Sequence, residues 1–249
     1  MKKHIPNIIT LLNLLCGTIA VLFAVKNELE TAAIFAFSGI VFDFFDGLAA
    51  RALKVQSELG VQLDSLADMV TCGVVPGIVM FQLFNLLSDT SFGWGNENWL
   101  DKTGFAPLSV FGLFITLASA YRLAKFNIDE NQVSSFIGLP TPANTLFILS
   151  LPLILSYQRN DLINSIIINK WFLIIITVIS CYMLNSKIQL FAFKFKNWQL
   201  KGNAVKYFFL LLSLIGIILL KFAAIPLIII AYVITSLVDG VALKNKKSS

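Results

Sequence analysis

Runs of apolar residues that are long enough to cross a membrane recur from one end of the chain to the other. A bilayer core about 30 Å thick requires about 20 apolar residues per helical span. The runs predict eight transmembrane helices, over residues 5–25, 31–52, 63–87, 107–126, 139–157, 170–186, 206–221 and 223–240. We therefore expect an all-α, polytopic membrane protein.

The composition indicates that lipid is the main solvent of this chain. Of its 249 residues, 57% are hydrophobic and 13% are charged, whereas a soluble domain carries about a quarter charged residues. Lys2 and Lys3 precede the first apolar run, as basic residues do in a signal peptide. That run is longer than the apolar part of a signal peptide and is followed by further spans, so we expect a retained helix.

Positive charges are divided unevenly between the two ends of the predicted helices. An even number of spans places both termini on one side of the membrane, and Lys and Arg accumulate on the cytoplasmic side. The side opposite the termini receives only Lys26, Lys102, Arg159, Lys170 and Lys221. All other Lys and Arg residues fall on the side of the termini, so both termini are expected in the cytoplasm.

The most informative polar residues are four aspartates in the segment DFFDGLAARALKVQSELGVQLDSLAD, which begins at Asp43. Asp43 and Asp46 are three residues apart, and Asp64 and Asp68 are four apart, so each pair projects from one helix face. The first pair ends the second predicted helix and the second pair begins the third. A short polar connection makes these helices antiparallel neighbours, so all four carboxylates are expected to meet near the cytoplasmic face.

Carboxylates at this depth need a positive partner. An aspartate in a membrane span costs on the order of 3 kcal/mol, and ionised neighbours repel each other. Hard divalent cations such as Mg²⁺ bind carboxylate oxygens and are commonly completed by substrate phosphates. The cluster therefore predicts a site for Mg²⁺ or Mn²⁺ and a phosphate. The alternative is that the acids pair with Arg51 and Lys54, although two bases cannot balance four acids.

Small residues flank the acids. Gly47, Ala49, Ala50 and Gly60 would let a bulky nucleotide approach the helix backbone closely. Tight packing between helices explains small residues equally well, so both interpretations stay open.

Polar residues in two other predicted helices are candidates for substrate contacts. Asn7, Thr10 and Asn13 follow one another at spacings of three near the cytoplasmic end of the first helix. They would donate hydrogen bonds to a nucleotide or headgroup, or else join helices to one another. Arg122, near the cytoplasmic end of the fourth helix, is a candidate clamp for a carboxylate or phosphate. Its alternative role is a side chain that reaches the membrane surface and sets topology.

Other membrane proteins also place acids at membrane depth. A cation-coupled transporter would show paired repeats with broken helices near the midplane, whereas the acids here form one block without a matching second half. An intramembrane prenyltransferase would carry two acid motifs on separate helices, and an intramembrane aspartyl protease would carry a GxGD pattern. The single block favours a phosphate and metal enzyme, with a transporter as the distant alternative.

The acids and their neighbours resemble the motif of the CDP-alcohol phosphotransferase family. That motif has two acids three apart, then Gly, Ala-Arg, a more distant Gly, and two acids four apart. The chain keeps every spacing, with Asp43, Asp46, Gly47, Ala50, Arg51, Gly60, Asp64 and Asp68. Because all eight positions occur in one short segment, the resemblance is specific.

Further segments resemble one branch of that family, the phosphatidylserine synthases. They are IPNIITLLNLLCG from Ile5, LDSLADMVTCGVVPG from Leu63, YRLAKFN from Tyr121 and FIGLPTPAN from Phe136. A common form of the third-helix motif has an aromatic residue where this chain has Cys72. The resemblance implies transfer of the phosphatidyl group of CDP-diacylglycerol to L-serine, with release of CMP.

The resemblance also implies roles for the residues. Asp43, Asp46 and Asp64 would hold the divalent metal against the CDP diphosphate, and Asp68 would be the general base and would also reach the metal. Residues expected to contact the nucleotide or substrates are Gly47, Ala50, Arg51, Gly60, Asn7, Thr10 and Arg122. The expected partners are CDP-diacylglycerol, serine and membrane lipids, with no nucleic acid, and the family is typically homodimeric.

Two further expectations concern the acceptor and the organisation of the chain. Glycerol 3-phosphate or an inositol is the alternative acceptor, and it would call for an additional basic pocket. We expect one domain over residues 1–249, with a catalytic core over about 1–186 and two additional helices within 206–240. The enzyme is expected in the cell (inner) membrane with its active site facing the cytoplasm.

Overall fold

The structure is a computed structural model and describes residues 2–88, 107–128, 136–158, 160–190 and 204–247. Its α-helices are α1 Ile5–Val25, α2 Leu29–Ala52, α3 Glu58–Asp68, α4 Val75–Asn85, α5 Phe114–Ile128, α6 Thr141–Tyr157, α7 Asp161–Ile167, α8 Lys170–Asn185, α9 Ala204–Leu220 and α10 Ala224–Lys247. A π-helical turn, Met69–Val74, joins α3 to α4. Short 3₁₀ turns lie at Lys2–His4, Leu86–Ser88, Pro107–Leu113 and Lys221–Ala223.

Two short strands complete the described secondary structure. β1, Phe136–Ile137, pairs antiparallel with β2, Gln189–Leu190. The pair lies beyond the N-terminal end of α6 and the C-terminal end of α8. It therefore ties these two helix ends together.

Five helical stretches among the described residues are long and apolar enough to cross a membrane, namely Ile5–Val25, Leu29–Ala52, Glu58–Asn85, Leu108–Ile128 and Phe209–Leu237. The pair α7 and α8, bent by 61°, makes a sixth if it is one broken span. The protein is thus a polytopic membrane protein. The count of eight spans and the cytoplasmic location of both termini stay predictions.

Most predicted helix bounds agree with the structure, and those of the third and eighth predicted helices differ. The eighth, predicted over 223–240, is α10, which continues to Lys247. The third predicted helix, 63–87, begins earlier, at Glu58, because the Ser57 hydroxyl accepts a hydrogen bond from the backbone N–H of Gly60 and caps the helix. The helix α7 was not predicted. It forms because Asn160 caps its first turn and Asn169 caps α8 immediately afterwards, which divides one apolar run into two helices.

The C-terminal helices form a hairpin. The stretch Phe209–Leu237 is therefore not one straight helix, because the turn at Lys221, whose φ is 49°, separates α9 from α10 and the two helices pack on each other. The ring centroids of Phe209 and Tyr232 lie 6.4 Å apart across the two helices. The rings of Tyr157 and Phe222, 5.3 Å apart, join the hairpin to the end of α6.

Helix α1 shows why the bundle assembles in lipid. Its buried face consists of small or polar residues, Pro6, Thr10, Asn13, Gly17, Ala20 and Ala24. Its exposed face carries large apolar residues, Ile8, Leu11, Leu15 and Leu22. Small residues let helix backbones approach closely while large apolar side chains face the lipid, and α1 packs against both α2 and α3 in this way.

The third span is the central element of the bundle. In its most apolar window 67% of the residues are buried, compared with 28% in each of the first two spans. Buried side chains of α4, among them Val79, Met80, Leu83 and Phe84, form the apolar core with residues of α1, α2, α6 and α8. Asp64 and Asp68 stand on α3, the first part of this span, in which Ala67 and Asp68 are the buried residues.

Candidate active site

The turn between α2 and α3 sets the geometry of the acids. The backbone N–H of Val55 donates to the carbonyl oxygen of Ala50 at 3.0 Å, and that of Lys54 donates to Arg51 at 3.2 Å. This is a Schellman motif, and Lys54 occupies its left-handed position with a φ of 54°. Because the Ser57 cap begins α3 directly afterwards, the chain reverses within a few residues and presents α2 and α3 to the same region.

Three of the four predicted metal ligands converge. One carboxylate oxygen from each of Asp43, Asp46 and Asp64 can be chosen so that all lie within 4.8 Å of one another. Asp46 is buried, and Asp43 and Asp64 are partly buried. The predicted meeting of the two helix ends is therefore observed.

Asp68 lies one turn deeper along the third span and is only 8% exposed. Its Oδ1 accepts a hydrogen bond from Nδ2 of Asn13 at 3.3 Å. It is close enough to Asp64 and Asp46 to interact electrostatically with both. Asp68 thus borders the three-carboxylate cluster from the interior side.

A cavity of about 150 Å³ opens beside the cluster. Its lining includes residues predicted to contact the nucleotide, namely Asn7, Thr10, Gly47, Ala50, Arg51 and Gly60, together with Asp46 and Asp64. A Cβ atom on Gly60 would lie 3.2 Å from Oγ of Ser57 and 3.5 Å from Oδ1 of Asn7. A side chain at position 60 would therefore narrow the cavity between Ser57 and Asn7.

Arg122 lies at a different place. Its Nη1 donates to the carbonyl oxygens of Ile137 at 3.1 Å and Leu184 at 2.7 Å, which joins β1 to the end of α8. Arg122 lines a second cavity, of about 230 Å³, with Lys125 and Lys187. The structure thus brings the other predicted contact residues together and places Arg122 apart from them.

Some residues of the site were not predicted. Gln56 and Ser57 line the cavity from the turn, and Thr71 contacts Asn13 behind Asp68. The pattern of Ser57 followed by a helix is a cap signal that the sequence offers. Thr71 gave no signal, because a threonine in an apolar helix is ordinary.

The cluster suits a divalent cation. Asp46 Oδ2 and Asp64 Oδ1 are buried and have no hydrogen-bond partner among the residues that the structure describes. Buried carboxylate oxygens require compensation by a positive charge or a hydrogen bond, and three carboxylates supply the hard oxygen ligands that Mg²⁺ and Mn²⁺ prefer. The residues present therefore fit a divalent metal.

Arg51 lies on the same face of α2 as Gly47. A Cβ on Gly47 would lie 3.5 Å from the guanidinium of Arg51, so the Arg51 side chain folds back along α2 over Gly47.

Fold and site together define a polytopic membrane protein with a candidate metal centre at one end of its central span. The model of the CDP-alcohol phosphatidyltransferase family matches residues 3–182. The chain belongs to the CDP-alcohol phosphatidyltransferase family, and it is an enzyme. This assignment favours a transferase over a transporter.

Several named proteins are similar in sequence to much of this chain. The chain is 32% identical over 164 residues, 66% of its length and 81% of the relative, to a CDP-diacylglycerol–serine O-phosphatidyltransferase of Bacillus subtilis. It is 29% identical over 198 residues, 79% of its length and 75% of the relative, to the protein of the same name from Helicobacter pylori. The similarity to that of Methanocaldococcus jannaschii is 31% over 160 residues, 64% of this chain and 66% of the relative.

Proposed function

We propose that this protein transfers the phosphatidyl group of CDP-diacylglycerol to L-serine and releases CMP. The observation that supports the chemistry best is the cluster of Asp43, Asp46 and Asp64, with oxygens within 4.8 Å of one another, at the edge of a cavity. Serine as acceptor is supported by the names of the relatives from Bacillus subtilis and Helicobacter pylori.

Asp43, Asp46 and Asp64 would hold Mg²⁺ or Mn²⁺ in this proposal, and Asp68 is close enough to contribute. When bound there, such an ion would supply positive charge to offset the negative charge of the diphosphate. Gly47, Ala50 and Gly60 border the cytidine. These three lack large side chains, so the nucleotide can lie against the backbone of α2 and α3.

Polar residues around the cavity would orient the donor. Asn7 and Thr10 face the cavity from α1 and offer hydrogen bonds to the nucleotide, and Arg51 offers a positive charge to the diphosphate. Thr10 Oγ1 donates to the carbonyl oxygen of Pro6 at 3.1 Å, so its oxygen lone pairs remain available as acceptors.

The proposed reaction exchanges one phosphorus–oxygen bond for another. The serine hydroxyl oxygen forms a bond to the phosphorus that carries diacylglycerol, and the bond from that phosphorus to the oxygen bridging to CMP breaks. The hydroxyl proton passes to the carboxylate of Asp68, and CMP leaves with the electron pair. General-base assistance of this kind contributes roughly 10²–10⁴ in rate.

Recognition of the serine carboxylate calls for a positive group. The candidates for this role are Arg122, Lys125 and Lys187, which line a second cavity that is separate from the one beside the cluster. The same three bases favour a second candidate function, transfer to an acceptor that carries a phosphate, such as glycerol 3-phosphate or an inositol phosphate.

The proposal includes location and assembly. We place the enzyme in the cell membrane with the cluster facing the cytoplasm, because Lys and Arg concentrate at that end of the predicted helices. One domain over residues 1–249, with a catalytic core over about 1–186 and two additional helices, and a homodimeric assembly belong to the same proposal.

The deciding experiment follows CMP release by the purified protein. The protein is incubated with CDP-diacylglycerol, Mg²⁺ or Mn²⁺, and one of serine, glycerol 3-phosphate or inositol. Release that requires serine and yields phosphatidylserine is the expected result. Release with glycerol 3-phosphate and none with serine would contradict the proposed acceptor and would support the second candidate, whereas release with inositol alone would contradict both.

A further inference from the structure

Asn13 lies behind the proposed base and is completely buried. Its Nδ2 donates to Oδ1 of Asp68 at 3.3 Å, and its Oδ1 accepts from the hydroxyl of Thr71 at 2.8 Å. An ionised carboxylate only accepts hydrogen bonds, so the amide must turn its NH₂ group toward Asp68. The hydroxyl of Thr71 then stabilises that single orientation.

Two glycines make room for this arrangement. A Cβ on Gly17 of α1 would lie 2.2 Å from Oγ1 of Thr71, and a Cβ on Gly39 of α2 would lie 2.8 Å from Oδ1 of Asn13. Any side chain at either position would therefore displace the pair. The first two helices thus enclose the Asn13–Thr71 contact on both sides.

Three threonine hydroxyls lie in or against the π-helical turn, and among them Thr71 is the one whose hydrogen bonds connect to an aspartate. The hydroxyl of Thr145 in α6 lies 3.0 Å from the carbonyl oxygen of Cys72 and 2.9 Å from that of Thr141, and Thr116, just within α5, donates to that of Gly73 at 3.0 Å. Both hydroxyls thus contact backbone oxygens of the widened turn. The hydroxyl of Thr71 lies 2.8 Å from Oδ1 of Asn13, the side chain that touches Asp68, and 3.3 Å from the backbone carbonyl oxygen of Asn13, so its shorter contact is with the side chain.

We propose that Asn13, oriented by Thr71, is a positioning residue that holds the Asp68 carboxylate for proton transfer. The inference rests on the proposed role of Asp68 as the base. The Asn13 amide occupies Oδ1 and restricts rotation of the carboxylate, which leaves Oδ2 to receive the proton of the acceptor hydroxyl. Asn13 itself takes no proton.

The first test changes one hydroxyl at a time. Thr71→Val keeps the shape of the side chain and removes the donor, so kcat is expected to fall roughly 10-fold to 100-fold while KM for CDP-diacylglycerol stays within about 2-fold. Thr71→Ser restores the hydroxyl and is expected to recover most of kcat. The matched control Thr145→Val, which removes a buried hydroxyl of α6 that contacts the same turn, is expected to keep kcat within about 2-fold of wild type.

Two results of this series would overturn the inference. One is an equal loss of kcat in Thr71→Val and Thr145→Val, because the effect would then come from the turn in general. The other is a Thr71→Ser variant as slow as Thr71→Val. All variants are assayed with the alcohol that the wild-type protein uses, so failure of serine as acceptor contradicts the proposed substrate and leaves this comparison intact.

The second test combines Asn13→Leu with Asp68→Asn. Leu has nearly the shape of Asn without its polar atoms, and alone it is expected to lower kcat by roughly 10-fold to 100-fold. In the Asp68→Asn background the same change should cost less than about 3-fold, because a residue that acts through Asp68 has nothing left to position. Equal losses in both backgrounds would refute positioning. A fast Asp68→Asn single variant would instead refute the role of Asp68 as base.

Discussion

Three carboxylates with oxygens within 4.8 Å of one another repel strongly if all are ionised. At an effective dielectric constant of 20, each pair at that distance costs roughly 3 kcal/mol. Burial adds a desolvation penalty for Asp46, and its Oδ2 has no hydrogen-bond partner among the described residues. A bound divalent cation removes both penalties, which is why this arrangement is more consistent with a metal centre than with a set of surface acids.

Replacement of Asp68 by Asn tests the chemical role of a single residue. The amide keeps the size of the carboxylate but cannot take a proton, so CMP release is expected to fall by roughly 10²–10⁴-fold. Binding of CDP-diacylglycerol, measured by isothermal titration calorimetry, should change little, because Asp68 lies outside the three-carboxylate group. A variant with a near-normal rate would show that another group accepts the proton.

The sequence predicted the residues of the cluster better than the contacts behind it. Spacings of three and four on consecutive helices brought Asp43, Asp46 and Asp64 together as expected. Of the polar residues in α1, Asn7 and Thr10 line the cavity, whereas Asn13 joins helices, which was the alternative interpretation. Such a division depends on how far each residue lies along the helix relative to its neighbours, and one sequence does not contain that information.

At the scale of elements, the widened turn Met69–Val74 was not predictable. The surrounding residues are apolar without a strong period, so the pattern is the same for an uninterrupted α-helix and for one with a π-helical turn. Partners from other helices, such as Thr116 and Thr145, make the difference by satisfying the carbonyl oxygens of the turn. Tertiary contacts therefore select this local geometry.

Because α1 packs closely on the third span, we expect that replacement of Gly17 lowers the stability of the protein. In Gly17→Ala, the new Cβ would lie 2.2 Å from Oγ1 of Thr71, so the two helices must separate. We expect a loss of about 1–3 kcal/mol in the free energy of unfolding and a lower melting temperature in detergent. The matched control is Gly216→Ala in α9, where the nearest atom would lie 3.8 Å away. It should melt no lower than wild type, and equal destabilisation of both variants would contradict the close contact.

At the scale of the whole molecule, the sequence predicted the positions of the helices more reliably than the number of times that the chain crosses the membrane. Ile5–Val25, Leu29–Ala52 and Glu58–Asn85 are each long and apolar enough to cross a membrane. The polar caps Asn160 and Asn169 interrupt a later apolar run, so α7 and α8 bend by 61° and their status as one span depends on the lipid boundary. The length of an apolar run does not show where the lipid layer begins and ends.

Orientation in the membrane can be measured with single cysteines in a variant that lacks Cys16, Cys72 and Cys181. A membrane-impermeant maleimide applied to spheroplasts should label Lys26→Cys, at the end of α1, and should spare Lys54→Cys, beside the cluster, until the membrane is permeabilised. Both side chains are exposed, so access depends on the side of the membrane. Labelling of Lys54→Cys in intact spheroplasts would place the cluster on the outer face.

Mn²⁺ binding to the purified protein, followed by electron paramagnetic resonance, tests most directly whether α2 and α3 hold a divalent ion between them. Wild type should bind Mn²⁺ saturably, and more tightly with CDP-diacylglycerol, whose diphosphate completes the coordination. The Asp46→Asn, Asp64→Asn double variant should lose this binding, whereas Glu30→Gln, near the start of α2, should keep it. Unchanged Mn²⁺ affinity in the double variant would contradict the metal centre.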